Sequence, residues 1–257
     1  MTSMKNLIAA AAGVLLAIGL PAAGAAEVRV LSAGAIEPGL RPVLAAFESA
    51  SGHHVVLSFA SAPQIRERVA ADAAFEVVIA PPAVLDELES GARIAADRAQ
   101  RVGIGRVGVG VAVPPGAPRP DISSAEAFKR TLQQAESVVY NRASTGQYVE
   151  TLLKRLGLDL QAKSARYPDG AAVMAHVLRS PAGSVGLGAT TEILLLRDQG
   201  LQFVGPLPAE LQNFTSYVAA PVSAGTVEAA RALLRHLASA ESQATFARAG
   251  IDVARRP

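Results

Sequence analysis

The sequence predicts an α/β protein in two lobes, each a mainly parallel sheet flanked by helices. Three observations carry this expectation. Short apolar strands alternate with amphipathic helices from Glu27 onward, the pattern of repeated βαβ units. The joins between strand and helix are turns of small or hydroxyl residues, as in Ser32-Ala33-Gly34-Ala35 and Ala60-Ser61-Ala62-Pro63. A valine–glycine run, Val107 to Val113, followed by Pro114-Pro115-Gly116, reads as a long extended connector between lobes.

Residues 1–25 read as a cleavable signal peptide. Lys5 supplies a basic start, Leu7 to Leu20 carries no charge, and Ala23-Gly24-Ala25 is a small-residue exit. The run is shorter than the ~20 residues that span a bilayer, so the expectation is secretion to the periplasm. Glu27 to Leu31 is then a strand, and a helix follows with Leu40, Val43, Leu44 and Phe47 on one face, stopped by Gly52. His54 to Phe59 is the next strand; Pro63 sits in the first turn of a helix carrying Ile65 and Val69. Phe75 to Ala80 is a third strand, ended by Pro81-Pro82, and a helix with Val84, Leu85 and Leu88 runs to Gly91.

Beyond the connector, Ser123 or Ser124 caps a helix through Phe128 and Leu132. Ser137 to Tyr140 is a buried strand, the loop Arg142 to Gly146 follows, and a helix with Leu152, Leu153 and Leu156 stops at Gly157. A helix over Ala171 to Leu178 precedes a strand from Ser184 to Leu187, and Gly188-Ala189-Thr190-Thr191 leads into a helix with Ile193, Leu194 and Leu196. Leu201 to Val204 and Phe214 to Ala220 are strands, and two helices, Val227 to Leu237 and Glu241 to Ala249, finish the chain.

Composition excludes several functions. With no cysteine, disulfides, thiolate metal sites and cysteine nucleophiles fall away together. Arginines are scattered and only 4% of residues are aromatic, so no nucleic-acid surface is indicated. His53 and His54 are adjacent, which on a strand points them to opposite faces, and His176 and His236 are isolated. No metal and no cofactor is expected. There is no Gly-x-Ser-x-Gly elbow and no His-x-x-x-His pair, so the motifs predict no enzyme.

In a parallel sheet, ligands bind where loops gather at the carboxyl ends of strands. The stretch Arg142-Ala143-Ser144-Thr145-Gly146 leads into a helix N-terminus, whose amides favour anions. Ser61, Ser144 and Thr145 can each donate to a ligand or cap a helix. Arg142 is a countercharge for a carboxylate or phosphonate, or a solvated loop residue, and Tyr148 either lines the cleft or packs against its helix.

Taken together, the chain resembles the periplasmic molybdate-binding proteins, a family of two-lobed, hinged solute-binding proteins of type II. The likeness rests on Val30-Leu31-Ser32-Ala33-Gly34-Ala35, Ser58 to Ile65, Phe75 to Ala80, Ser144-Thr145-Gly146-Gln147-Tyr148, Ala171 to Gly188, and a closing pattern with Ser239, Glu241, Gln243, Phe246 and Gly250. The resemblance implies a discontinuous first lobe, 26–106 plus 216–257, and a second lobe, 107–215. It implies a monomer that closes on a small-molecule or oxyanion ligand for an inner-membrane ABC permease. The candidate ligand set is Gly34, Ala35, Ser61, Ala62, Arg142, Ser144, Thr145, Gly146, Tyr148 and Val185. The chain departs from the family at Ala35, where a serine is expected, at Ala62, at Pro81-Pro82 and at Thr145. A tyrosine expected before the returning strand is missing, Gln212 or Asn213 standing nearest. These departures point away from molybdate and toward another small anion or polar organic molecule. The alternatives are a ligand-sensing co-receptor and a non-binding member that acts through protein contacts.

Overall fold

A computed structural model describes residues 25–71, 74–94, 98–222 and 228–253. All but Ala25 of the expected signal segment lies outside these residues, as does Val227 at the start of the penultimate helix.

Three parallel strands begin the fold. β1 (Glu27–Ala33) lies between β2 (His54–Ala60) and β3 (Val77–Ala80), pairing Val28 with Val55 and Leu31 with Val78. The strand expected from Phe75 starts only at Val77, because Glu76 is drawn to the edge of β1. Its amide donates to the Arg29 carbonyl and its carboxylate accepts from the Arg29 amide at 2.6 Å. Helices α1 (Glu37–Ser51), α2 (Ala62–Ala70) and α3 (Pro82–Ser90) fold back over these strands. Their apolar stripes, Leu40, Val43, Leu44 and Phe47 on α1 among them, are buried against the sheet.

The second half repeats the plan. β5 (Ser137–Asn141) lies between β6 (Ser164–Tyr167) and β7 (Ser184–Ala189), all parallel. Helices α4 (Ala125–Gln134), α5 (Ser144–Arg155), α6 (Gly170–Val177) and α7 (Thr190–Leu195) surround them. Ser124 is the cap of α4, its hydroxyl accepting from the Ala127 amide. β6 is absent from the sequence reading for a physical reason: it is an edge strand, half-exposed, and Ser-Ala-Arg-Tyr carries no apolar alternation.

The connector is no loose tether. β4 (Val102–Val113) is a ladder strand that pairs antiparallel with β9 (Phe214–Pro221) along its first half, then with β7 and β8 (Gln202–Pro206) along its second. The strand order is β2-β1-β3-β9-β4-β7-β5-β6, with β8 beside β4, and every antiparallel pairing involves β4 or β9. Gly105 sits at φ +144° in this strand, where a side chain would press on the Ile251 side chain and the Asp252 carbonyl. Arg106 holds the same segment, pairing with Asp252 at 2.6 Å.

After β9 the chain packs α8 (Glu228–Leu237) and α9 (Ala240–Arg248) into the core formed by β1 to β3. Phe246 is fully buried there, against the α1 backbone at Gly39. We expect Phe246→Ala to cost about 3–5 kcal/mol, read as a lower urea midpoint at unchanged m-value.

Candidate functional site

Parallel strands deliver their following loops to one edge, and here the loops of both halves meet around a cleft of about 320 Å³. Gly34 and Ala35 come from the turn after β1, Ser61 and Ala62 from the end of β2, and Pro81 from the end of β3. Facing them are Ser144 and Thr145 after β5, Asp169 and Gly170 after β6, and Glu192 after β7.

One part of the wall suits an anion. Helices α2, α5 and α6 all start at the cleft, and the first-turn amides of a helix have no partner within it. Ser61 is the N-cap of α2 and forms a capping box, its amide donating to Gln64 Oε1 at 2.9 Å and its hydroxyl lying 3.0 Å from the same oxygen. The α5 turn is shaped by Asn141, whose Oδ1 accepts from the amides of Ala143 at 3.0 Å and Gly146 at 2.8 Å. A Cβ on Gly146 would overlap the Asn141 carbonyl, so glycine alone lets the turn close this tightly.

Of the ten residues expected from sequence, Gly34, Ala35, Ser61, Ala62, Ser144 and Thr145 lie on the cleft wall. The other four stand elsewhere. Gly146 is buried behind the α5 turn, and Val185, on β7, is buried in the second hydrophobic core. Tyr148 packs on that core and its hydroxyl donates to the Leu211 carbonyl at 2.6 Å. The Arg142 side chain is exposed, and its backbone amide donates to the Tyr167 carbonyl.

The wall also carries acidic groups, beside the start of α6, which the sequence reading did not find. Glu192, in the first turn of α7, is 9% exposed, with its carboxyl between Gly34 and Gly170. A Cβ at Gly34 would stand 3.4 Å from Glu192 Oε1, and one at Gly170 would overlap the carboxyl. The neighbouring Thr191 hydroxyl donates to the Ala35 carbonyl and so ties α7 to the turn after β1. Burial is the main force on Glu192. With the Asp169 carboxylate, and more weakly Glu37, it outweighs the Ala189 amide and lifts the pKa from its ordinary 4.5 to about 7. Asp169 is committed to capping α6, accepting from the Ala172 amide at 2.8 Å. Glu37 is paired with Arg41 at 2.6 Å. Tyr217 also reaches the cleft, from within β9. Burial, with the Glu192 charge, holds its hydroxyl protonated. A glutamate in a first helical turn is ordinary, and only the three-dimensional fold turns this one inward.

The raised pKa has a sign that can be tested. Protonated Glu192 favours the folded state, so this contribution is full below pH 4.5 and is lost as pH rises through about 7. Urea denaturation across that window should show the protein losing on the order of 3 kcal/mol that Glu192→Gln does not lose. Parallel curves for the two proteins would contradict the burial argument.

The family model for bacterial extracellular solute-binding proteins matches residues 28–252. A protein named aconitate isomerase, from Pseudomonas sp., is 36% identical over 233 residues, spanning 86% of this chain and 86% of its own length. The periplasmic molybdate-binding protein of Azotobacter vinelandii superposes with a TM-score of 0.70 at 16% identity, covering 89% of this chain and 100% of its own. The sulfate-binding protein of Mycobacterium tuberculosis does so at 0.67 and 17% identity, covering 88% of this chain and 86% of its own. These two establish the periplasmic-binding-protein-like fold. The isomerase corrects the expectation of no catalysis: a chain this similar carries an enzyme's name, and isomerisation by proton transfer needs neither a nucleophile elbow nor a histidine pair. With a match that runs nearly from end to end, this chain belongs to the bacterial extracellular solute-binding protein family.

Proposed function

We propose that the protein is an isomerase that moves a proton within a small unsaturated polycarboxylate of the aconitate kind, with Glu192 as the general base. The observation that carries this reading is the Glu192 carboxyl: buried, on the wall of the cleft, and poised at about pH 7 rather than below 5. A base works best when its pKa lies near the working pH. The 36% identical isomerase supports the choice of substrate class.

Aconitate has a methylene next to a carbon–carbon double bond, and its C–H is acidified by both the double bond and a carboxylate. A Glu192 oxygen takes that proton, and the electron pair spreads across the three allylic carbons into the terminal carboxylates. The proton then returns to the former vinylic carbon. The double bond has moved by one position, the new geometry at it can be cis or trans, and no atom is gained or lost. The helix N-termini around Ser61 and Ser144 stabilise carboxylates without titrating. Neutral Tyr217 adds a hydroxyl donor where charge develops. Closing the two halves on the ligand would exclude water and favour the closed state by differential contact.

The N-terminal segment and the family support a periplasmic location. The family also favours a second role, in which the closed cleft hands the same anion to an inner-membrane ABC permease.

Proton NMR in D₂O with cis- and trans-aconitate tests the isomerase. We expect interconversion with deuterium entering the methylene, and kcat/KM rising through about pH 7. Glu192→Gln should lower kcat by about 10²–10⁴ while ligand still raises Tm. Neither isomerisation nor exchange, or full activity in Glu192→Gln, would overturn the reading.

A further inference from the structure

A polycarboxylate brings several negative charges into a cleft that holds three carboxyl groups of its own, Glu37, Asp169 and Glu192. Among the described residues, no lysine or arginine lines it. Helix N-termini supply partial charges only, which suffice for one or two carboxylates but leave a further one without a countercharge. Arg41 is a full positive charge tied by its side chain to two residues of the wall. Its guanidinium stands 5.1 Å over the ring of Phe59, a wall residue, and its Nε donates to Glu37 Oε1 at 2.6 Å, a second wall residue. Both ties are at the surface: the Arg41 side chain is 61% exposed, and exposed i,i+4 pairs of this kind bind weakly. Glu37 holds Nε and one terminal nitrogen of the guanidinium on the single oxygen Oε1, whereas a ligand carboxylate at the mouth can take two donors on two oxygens in the planar fork and so competes on favourable terms.

We propose that Arg41 is the specificity-determining residue of the cleft: it leaves Glu37 to take the outermost carboxylate of a polycarboxylate substrate, and Phe59 is the platform over which it moves. This rests on the reading of the cleft as a carboxylate site, and goes beyond it by assigning the residue that counts carboxylates.

The test is a set of dissociation constants, by calorimetry on the purified protein, for aconitate, itaconate and crotonate, which carry three, two and one carboxylates. Arg41→Gln should weaken aconitate by about tenfold or more and crotonate by less than about twofold, with Arg41→Lys recovering part of the loss. Because freeing Glu37 alters the field at Glu192, the Glu37→Gln, Arg41→Gln double variant is measured alongside, and it should show the same loss of preference. In turnover, Arg41→Gln should raise KM for aconitate by a larger factor than it changes kcat, the mark of a group that acts mainly through binding. Equal weakening of all three ligands, or of none, would overturn the assignment. Tight aconitate binding without turnover would sink the isomerase reading alone, since the ratio of constants still judges Arg41. Failure of the unaltered protein to bind any of the three would sink both.

Discussion

The rest of the molecule depends on one long strand whose hydrogen bonds are shared. β4 gives its first half to β9 and its second to β7 and β8, so the two parallel sheets are not merely linked but laddered through a common backbone. A strand in this position cannot drift in register without breaking both halves at once. The glycines along it permit close approach on each side: a Cβ at Gly105 would meet the C-terminal segment, and one at Gly110 would press on Phe203. A valine–glycine alternation that reads as slack is in fact closely packed.

The shared ladder also explains why the cleft is where it is. With both parallel sheets set on either side of β4 and β9, the carboxyl ends of β1, β2 and β3 face those of β5, β6 and β7. Helix starts from both halves then converge, and the resulting field favours an anion. The same convergence buries Glu192. Its carboxyl fits because Gly170 has no side chain, and the loss of water there, more than any neighbouring charge, sets its affinity for a proton. Helix N-terminal amides and a buried carboxyl with a raised pKa in one cleft suit both anion binding and proton transfer. The solute-binding fold and an isomerase relative are therefore compatible facts.

The expectation of no catalysis failed for an instructive reason. Motif searches find chemistry that requires neighbours in sequence or a strained elbow, such as a nucleophile with its base. Proton transfer to carbon needs one carboxyl in a dry place, and dryness is not written in a local pattern. Thr190-Thr191-Glu192 looks like any helix start with a favourable acidic residue.

What the sequence by itself determined was everything carried by period and punctuation. Leu40, Val43, Leu44 and Phe47 mark a helix face, Pro63 marks a first turn, Gly52 and Gly157 mark helix ends, and the small-residue turns mark the edge where the cleft lies. These are local properties, set by sterics and by the side a residue occupies within one element. The tertiary structure alone decided that β6 completes a sheet despite its polar residues, that β4 is a ladder rather than a tether, and that Tyr217 and Glu192 meet across the cleft. Each of those outcomes depends on which distant segment arrives opposite. Burial, the desolvation it brings and the pKa that follows are properties of the assembled surroundings and of no single stretch of chain.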